Sequence, residues 1–522
     1  MAASADPIIL IPAAGGLLVG LIIHFFAREA KGHGVPEVMA AVAAKGGRIR
    51  PRVVLAKTLA SSICIGSGGS VGREGPIVQI GAATGSAIGQ RLRLPDEWLR
   101  TLVACGAAGG ISATFNAPIA GVFFALEVIL GRFITRSFGA VVVSSVVADV
   151  VAHAFLGNEQ SFVVPAYELV SAWEIPIYVV LGVAAALIGL VFIYVLYKLE
   201  DIFDAWKFPE YLKPAVGGII VGGIGLYSLD LLGVGYGGVV DALDGNLALK
   251  TLFIMGVLKV VATSVTIGSG GSGGVFAPSL FIGAMFGGAF GDVAGRLFPS
   301  ITAPPGAYAL VGMAALFAGA SRAPITSIII LFEMTRDYDI MLPLMLTVAV
   351  STVVSRSIRP ESIYTTKARR AGIDLRRYGD VDLMRHIKVS QAMTRDFPTV
   401  STDMLVNELV TEFSRSGHHG FPVVNDEGSL FGIVTVSDVE ATLTDAVADL
   451  KVSDIATRSP IVAYPDQSLY EALLRLGAQD VGRIPVVDRD DQTRLLGVLR
   501  RHDIIRAYRN RLAENTTYQR GY

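Results

Sequence analysis

Residues Gly66–Pro76 read GSGGSVGREGP, and an apolar run begins directly after them at Ile77. Glycine has no Cβ, so this backbone can turn tightly and leave its amide groups uncovered. Pro76 suits the first turn of a helix, where a missing N–H costs nothing. A helix that begins here would point unpaired N–H groups and the positive end of its dipole forward, which favours an anion. The stretch therefore predicts an anion site, with Glu74 as a tethered carboxylate at its mouth.

The same arrangement recurs later in the chain. Gly268–Ser279 reads GSGGSGGVFAPS and matches the first stretch at a spacing of 202 residues, which places Phe276 opposite Glu74. A second repeated element, which contains an Ala-Pro-Ile triplet, ends at Glu127 in one copy and at Glu333 in the other, a spacing of 206 residues. Two copies of both elements indicate a duplicated structure rather than a flexible Gly-Ser linker. A phosphate-binding loop is also disfavoured, because neither copy ends in Gly-Lys-Ser/Thr.

The composition is that of a membrane protein. Of the 522 residues, 52% are hydrophobic and 17% are charged, and the mean hydropathy of +0.55 is too high for an ordinary soluble protein. Thr101–Leu126 and Ile175–Tyr197 contain no charged residue and are long enough to cross a bilayer. Other apolar stretches are short or interrupted by Gly and Pro, as in broken membrane helices that line a polar site. We therefore predict an all-α, polytopic domain in a lipid bilayer.

The remaining composition excludes other classes. Cys64 and Cys105 both lie in apolar segments, so we expect neither a disulfide framework nor a metal site. The net charge of −1 gives no indication of a nucleic-acid partner, and we expect none.

The chemistry of the chain changes after Pro360. Basic residues cluster just past the last apolar span, and by the positive-inside rule they place the tail in the cytoplasm. The cluster comprises Lys367, Arg369, Arg370, Arg376, Arg377, Arg385 and Lys388. The tail contains its own duplication of a strand, a turn, a second strand and an acidic residue that opens a helix. The two copies are Gly420–Asp438 and Arg483–Asp503, and they predict a soluble α/β domain.

Three motifs together resemble the CLC family of chloride channels and proton-coupled chloride exchangers. They are Gly32–Pro36 (GHGVP), Gly72–Pro76 (GREGP) and Gly274–Pro278 (GVFAP). Tyr364 is similar to the anion-contacting tyrosine on the family's last membrane helix, and the resemblance runs in order from Ile8 to about Gly372. The tail resembles a tandem CBS pair. The resemblance implies a membrane domain of inverted repeats, assembled as a homodimer with one pathway in each subunit.

The resemblance also divides the chain. We expect a membrane anion-conducting domain over residues 1–372, a basic linker over 373–388, a tandem CBS domain over 389–512 and a tail over 513–522. The CBS halves are expected at about 389–445 and 451–510. Family members carry a cytoplasmic helix and a long membrane helix before the span that matches Ile8–Ala27, so we expect these N-terminal helices to be missing from the chain.

The resemblance assigns an anion site. Glu74 corresponds to the gating glutamate, which occupies the outer anion site when no ion is there. The expected donors to a dehydrated chloride are the backbone amides near Arg73, Gly75, Val275 and Phe276 and the hydroxyl of Tyr364. Amides and dipoles bind weakly enough for the ion to leave. Because an ionised glutamate at bilayer depth costs at least about 2.5–3.5 kcal/mol, we favour this role for Glu74 over that of an ordinary first-turn acid.

Two positions depart from the family pattern. His33 stands where the family usually has a serine that donates to the anion, and an imidazole can donate, hold a proton or point away. Val128 stands where exchangers usually carry an inner glutamate for protons, and Glu127 precedes it. Valine cannot relay a proton, and adjacent helical residues point about 100° apart, so Glu127 is expected on a different face. We therefore expect a voltage-gated-type chloride channel, with a proton-coupled chloride exchanger as the alternative.

An intramembrane enzyme that uses Glu74 as a general base is a third candidate from a different class. It would need a partnered nucleophile or a metal, and no His/Asp metal spacing occurs near either glycine loop. We therefore expect no enzyme, no required cofactor, and a multi-pass protein of the cell membrane.

The tail carries a candidate nucleotide site. Asp438 and Asp503 match the acid that often binds a ribose in CBS pairs. Thr435 matches the usual hydroxyl residue, while Arg500 replaces its counterpart in the second copy. An adenine nucleotide is the expected ligand of one cleft, and a purely structural dimerisation module is the alternative.

Overall fold

The computed structural model describes residues 5–131, 135–157, 167, 169–373, 384, 387–442, 450–478 and 482–519. The chain forms two compact units, Met1–Leu375 and Arg376–Tyr522. Three residues of the predicted basic cluster, Arg376, Arg377 and Arg385, lie outside the described residues, as do most of the 373–388 linker and the end of the tail.

The first unit is built from helices, most of them bounded by Gly or Pro. They are α1 (Ala5–Phe25), α2 (Val35–Ala44), α3 (Arg52–Gly66), α4 (Glu74–Arg91), α5 (Asp96–Phe115), α6 (Pro118–Phe124), α7 (Thr135–Leu156), α8 (Ile175–Ala205), α9 (Lys213–Gly225), α10 (Tyr236–Leu243), α11 (Leu249–Gly268), α12 (Phe276–Leu297), α13 (Pro305–Ser321), α14 (Pro324–Thr335), α15 (Met341–Ile358) and α16 (Ile363–Arg370). Helix α6 continues into a π-helical turn, Ala125–Ile129.

Six segments of the described chain are long and apolar enough to cross a membrane. They are Asp6–Phe25, Ser137–Leu156, Ala172–Ala205, Leu249–Gly268, Phe276–Leu297 and Met341–Arg370. Shorter apolar helices, among them α2, α9 and α14, lie between them. The prediction of an all-α, polytopic membrane domain is therefore confirmed.

The two halves of this unit repeat the same helix contacts. A Cβ added to Gly81 on α4 would lie 2.1 Å from the carbonyl oxygen of Gly106 on α5. In the second half, a Cβ added to Gly283 on α12 would lie 2.5 Å from that of Gly312 on α13. No side chain fits at these distances, so the small residues allow the paired helix backbones to touch. The duplication predicted from the glycine motifs thus extends into the packing of the helices.

The second unit contains two small sheets. Its elements are α17 (Val389–Ala392), β1 (Val400–Ser401), α18 (Val406–Ser416), β2 (Gly420–Val424), β3 (Leu430–Thr435), α19 (Val436–Thr442), α20 (Val452–Ile455), α21 (Leu469–Ala478), β4 (Arg483–Val487), β5 (Leu495–Arg500) and α22 (Arg501–Gln519). Strand β2 pairs antiparallel with β3 and parallel with β1, and β4 pairs antiparallel with β5. Pro422 lies opposite Ile433 in one hairpin and Pro485 lies opposite Val498 in the other. The two sequence copies therefore form equivalent hairpins, each followed by a helix, and the α/β prediction is confirmed.

Candidate functional site

Three glycine segments meet inside the first unit. Gly72 and Gly274 exchange backbone hydrogen bonds, with N–O distances of 2.8 and 2.6 Å. Gly32 donates to the carbonyl of Gly271 at 3.0 Å and accepts from the amide of Gly273 at 3.3 Å. These bonds hold the N-terminal ends of α2, α4 and α12 together. The helix starts that the sequence predicts as anion-binding therefore contribute to one site.

Glycine is required where these segments cross. A Cβ added to Gly75 would lie 2.2 Å from the carbonyl oxygen of His33, and one added to Gly34 would lie 2.8 Å from that of Gly75. Gly34 also has a φ of +84°, which L side chains rarely adopt. At Gly75, which the sequence predicts to be part of the anion site, the backbones of two segments therefore lie in direct contact.

Glu74 lies at the junction of the two halves and is 1% exposed. Its Oε2 accepts a hydrogen bond from the amide of Ala277 at 3.4 Å, and its Oε1 accepts one from the hydroxyl of Tyr236 at 3.3 Å. The carboxylate of the first half thus occupies the N-terminus of α12 in the second half. A negative side chain sits where the helix dipole and free amides favour a mobile anion.

The other predicted donors lie around this carboxylate. Val275 and Phe276 are buried at the start of α12, and the amide observed to donate to Glu74 is that of the next residue, Ala277. The guanidinium of Arg73 donates to the carbonyl of Thr114 on α5 at 3.1 Å. This bond engages the side chain of Arg73, so only its backbone is left as the predicted donor to an anion.

His33 and Tyr364 lie beside each other. Their ring centroids are 6.2 Å apart, and the two residues are 1% and 2% exposed. Among the described residues, neither ring nitrogen of His33 has a hydrogen-bond partner. Tyr364 is the second residue of α16, whose start is capped by Ser362. An unpartnered buried imidazole next to a phenol, close to three helix N-termini, is suited to contact with a small ligand that both can donate to.

Two buried lysines were missed by the sequence reasoning. Lys57 on α3 donates to the carbonyls of Ala30 and Gly32 at 3.0 and 2.7 Å. Lys259 on α11 donates to those of Leu231 and Gly233 at 3.2 and 3.0 Å. Both lysines are fully buried. Their spacing of 202 residues equals that of the glycine loops, so the repeat itself was the signal that could have identified them.

Glu127 and Val128, the two residues at the expected inner proton position, have different surroundings. Val128 is buried on the π-helical turn that follows α6. The carboxylate of Glu127 instead caps α14, where it accepts from the amide and the hydroxyl of Thr326 at 2.8 and 2.7 Å. Glu333 caps α6 in the same way, through the amides of Ile119 and Ala120 at 3.0 and 2.7 Å. Glu127 is therefore engaged in a reciprocal link between the two halves.

The candidate nucleotide residues fall into two different settings. Asp438 accepts two bonds of 2.7 Å on Oδ2, from the amide and the hydroxyl of Thr435. Asp503 is fully buried and accepts from the guanidinium of Arg500 at 2.8 Å and from that of Arg506 at 3.0 Å. Burial would raise the pKa of Asp503, but these hydrogen bonds and positive charges lower it below the ordinary value of 3.8.

A cleft opens between the two hairpins of the second unit. Its lining includes Thr394, Phe397, His418, Arg483 and Arg500. Arg500, which lines this cleft, donates to Oδ1 of Asp503 at 3.1 Å. Both acids expected to bind a ribose accept from protein donors: Asp503 on both carboxylate oxygens, and Asp438 from Thr435 on Oδ2.

Family models match both units. Residues 15–356 match the model described as voltage gated chloride channel, and residues 389–444 and 452–510 match that of the CBS domain. The first of these is a family of transport proteins and not an enzyme class.

Relatives and solved structures cover most of the first unit. The chain is 37% identical to a putative chloride channel protein ClcB-like of Ralstonia nicotianae, over 69% of this chain and 85% of the relative. It is 35% identical to an H(+)/Cl(-) exchange transporter ClcA of Vibrio parahaemolyticus, over 69% of this chain and 79% of the relative. The structure of a slow cyanobacterial Cl−/H+ antiporter matches with a TM-score of 0.66 and 28% identity, over 70% of this chain and 87% of that one.

Proposed function

The chain belongs to the voltage gated chloride channel (CLC) family, and we propose that it exchanges chloride for protons across a membrane. The observation that carries this proposal is the carboxylate of Glu74, which reaches from the first half to the Ala277 amide of the second. The names of the ClcA relative and of the cyanobacterial antiporter favour this alternative over the channel that the sequence led us to expect.

Glu74 is the proposed meeting point of the two ions. While it is ionised, its carboxylate competes with chloride for the amides at the start of α12. Protonation removes the negative charge, so the side chain loses most of its attraction to these donors and chloride can take its place. The same group then carries a proton in one state and yields its site to an anion in the other.

Chloride is proposed to bind between the helix N-termini and the two aromatic residues beside them. The Tyr364 hydroxyl and an N–H of His33 would complement the backbone amides near Gly75, Val275 and Phe276. Both side chains are uncharged donors in this role, which keeps binding weak enough for release. His33 replaces a serine of the family, so its larger ring is expected to change which anions fit.

An uncoupled chloride channel is the second candidate, and Val128 favours it. A proton that leaves Glu74 must reach the other side of the membrane, and valine offers no titratable atom. Glu127 is adjacent, but its carboxylate is held at the start of α14. An exchanger would therefore need another inner proton carrier.

Proteoliposomes with a chloride gradient and an internal pH dye separate the two candidates. Chloride flow that drives protons against their gradient supports the exchanger. Rapid chloride efflux with no proton signal identifies the channel. If neither chloride nor protons move, the proposal that this chain transports anions is wrong.

The second unit is proposed to be cytoplasmic and to regulate transport. The basic residues at the end of α16, among them Lys367 and Arg370, favour this orientation by the positive-inside rule. Thr435 and Asp438 are the proposed ribose contacts for an adenine nucleotide. Asp503 is proposed to hold Arg500 in place, and assembly as a homodimer remains part of the proposal.

A further inference from the structure

The start of α10 repeats the start of α2. Gly32-His33-Gly34 precedes α2, and Gly233-Val234-Gly235 precedes α10 at a spacing of 201 residues. The last glycine of each loop has a φ of +84°. The first glycine of each loop accepts from a buried lysine, Lys57 or Lys259, at 2.7 or 3.0 Å. The two loops are thus built alike and fixed alike, although their sequences share only the glycines.

Each loop places a different side chain at the anion site. The α2 loop sets His33 beside Tyr364. The α10 loop sets Tyr236, the first residue of its helix, beside Glu74, where the hydroxyl donates to Oε1 at 3.3 Å. The guanidinium of Arg73 lies 5.8 Å from the centre of the Tyr236 ring, and this contact helps to fix the ring.

We propose that Tyr236 is a positioning residue for the gate, whose hydroxyl holds the ionised carboxylate of Glu74 in the anion site. The inference rests on the proposed passage of chloride past Glu74. Phenol can donate to a carboxylate, and such a bond is stronger when the acceptor is ionised. Together with the Ala277 amide, it gives each carboxylate oxygen one donor. Chloride must displace both bonds to enter.

Lys259 acts one step further away. Its three contacts with the loop before α10 include the carbonyls of Leu231 and Gly233. They fix the backbone that carries Tyr236, so the hydroxyl is presented at a defined point. Lys57 makes equivalent bonds to the loop before α2 and so fixes the backbone that carries His33. Both loops are therefore held by a buried lysine.

Tyr236→Phe tests the inference, because it removes the hydroxyl and keeps the ring. Chloride binding to the purified full chain in detergent is measured by calorimetry, and chloride efflux is measured in proteoliposomes. We expect the apparent affinity for chloride to rise about tenfold or more, the range for one lost hydrogen bond to a charged group. Tyr227→Phe is the matched control, since Tyr227 is half exposed just past the end of α9 and this variant should bind chloride like the wild type.

The Glu74→Gln background shows whether Tyr236 acts through the carboxylate. The glutamine side chain carries no charge to be held, so adding Tyr236→Phe there should leave chloride affinity unchanged. Equal effects in both backgrounds would overturn the inference, as would a Tyr236→Phe protein that binds and moves chloride like the wild type. Tyr236→His keeps a ring and a donor and should restore wild-type affinity.

Two further outcomes keep the tests separable. If Tyr236→Phe does not fold, Tyr236→Met removes the hydroxyl with a different apolar shape and carries the same expectation. If the wild-type chain neither binds nor moves chloride, the proposed function fails, whereas chloride transport that is indifferent to Tyr236 defeats this inference alone.

Discussion

The two glycine loops share a backbone and differ in the side chain at the same position. Glu74 begins α4 in the first copy, and Phe276 begins α12 in the second. Phe276 packs against Phe115 and Phe317, with ring centroids 5.0 and 4.2 Å apart. Glu74 instead extends to the amide of Ala277 in the other copy. The duplication therefore supplies two helix N-termini whose dipoles favour an anion, and one copy adds a carboxylate that is proposed to compete with it.

This difference separates the groups that attract an anion from the group that can respond to pH. Backbone amides and helix dipoles cannot be switched off, so both loops attract an anion at all times. A carboxylate changes its charge when it binds a proton, so the copy that carries Glu74 can respond to pH and the copy that carries Phe276 cannot. A duplicated backbone with one titratable side chain is therefore sufficient for a single pH-dependent gate in the proposed mechanism.

Glu74→Gln should have the largest effect, because it makes the two copies chemically alike. The amide is permanently neutral, so proton transport should be lost while chloride flux continues, faster or with less dependence on pH and voltage. Both fluxes are measured in proteoliposomes over a range of pH.

Asp292→Asn is the control for this change. It removes a carboxylate near the end of α12 that pairs with Arg296 at the surface, and its fluxes should match the wild type. A Glu74→Gln protein whose chloride flux keeps its full pH dependence would exclude Glu74 as the gate.

Glu127→Gln and Glu333→Gln test the helix caps that both halves of the membrane unit have in common. Each residue caps the broken helix of the other half, so each substitution should lower the free energy of unfolding by about 1–2 kcal/mol, the range for loss of a helix cap. The two midpoints of thermal unfolding in detergent should therefore fall by similar amounts.

Transport measurements on the same two variants address the proton route. Glu127→Gln should leave the proton-to-chloride ratio unchanged, because its carboxylate is bound to α14. Lost proton movement with intact chloride flux in Glu127→Gln, but not in Glu333→Gln, would make Glu127 the inner proton carrier.

His33→Ser restores the residue type that the family usually has at this position. We expect the ratio of chloride to nitrate flux to change about two- to fivefold, as for one altered neutral hydrogen bond. Paired efflux measurements with the two anions give this ratio. Unchanged selectivity and pH response would make His33 a packing residue, and loss of proton transport with retained chloride flux would identify it as the inner proton carrier.

Local chemistry explains which parts of the site could be predicted. Short motifs identified Glu74 and the loop at Gly274, because a glycine-rich turn before a helix leaves the first-turn amides of that helix for an anion. The expectation of uncovered amides within the turn itself was wrong, since Gly68, Gly69 and Gly72 donate to backbone carbonyls. Tyr236 could not be found in this way, because its partner Glu74 is 162 residues distant in sequence. The side chain of Arg73 was also unpredictable, since its direction is set by the carbonyl of Thr114 on α5.

More of the fold than of the side-chain contacts could be predicted from the sequence. Apolar spans broken by Gly and Pro predicted the helical membrane domain, and two similar hairpin sequences predicted the α/β unit. Lys57 was overlooked because a lysine in an apolar segment resembles the end of a span. Only the folded chain shows that it is fully buried against the carbonyls of Ala30 and Gly32.

The two CBS copies likewise share a backbone and differ in the surroundings of one acidic residue. Asp438 is bound by the hydroxyl and amide of its own turn, whereas Asp503 is buried under two guanidiniums. Asp438→Ala should therefore weaken the binding of an adenine nucleotide to the full chain about tenfold, as expected for a lost charged hydrogen bond. Calorimetry with the wild type and with Asp503→Asn gives the comparison.

Asp503→Asn should act on stability instead of nucleotide binding. Because the folded protein lowers the pKa of Asp503 below 3.8, the stabilisation that this group provides is present above pH 3.8 and is lost as the pH falls through the folded value. The wild type should thus unfold at a higher temperature than Asp503→Asn at neutral pH, and the two should converge in acid. A nucleotide affinity that falls equally in both variants would mean that the two acids share one role, and a wild type that binds no nucleotide would leave the pair as a structural module.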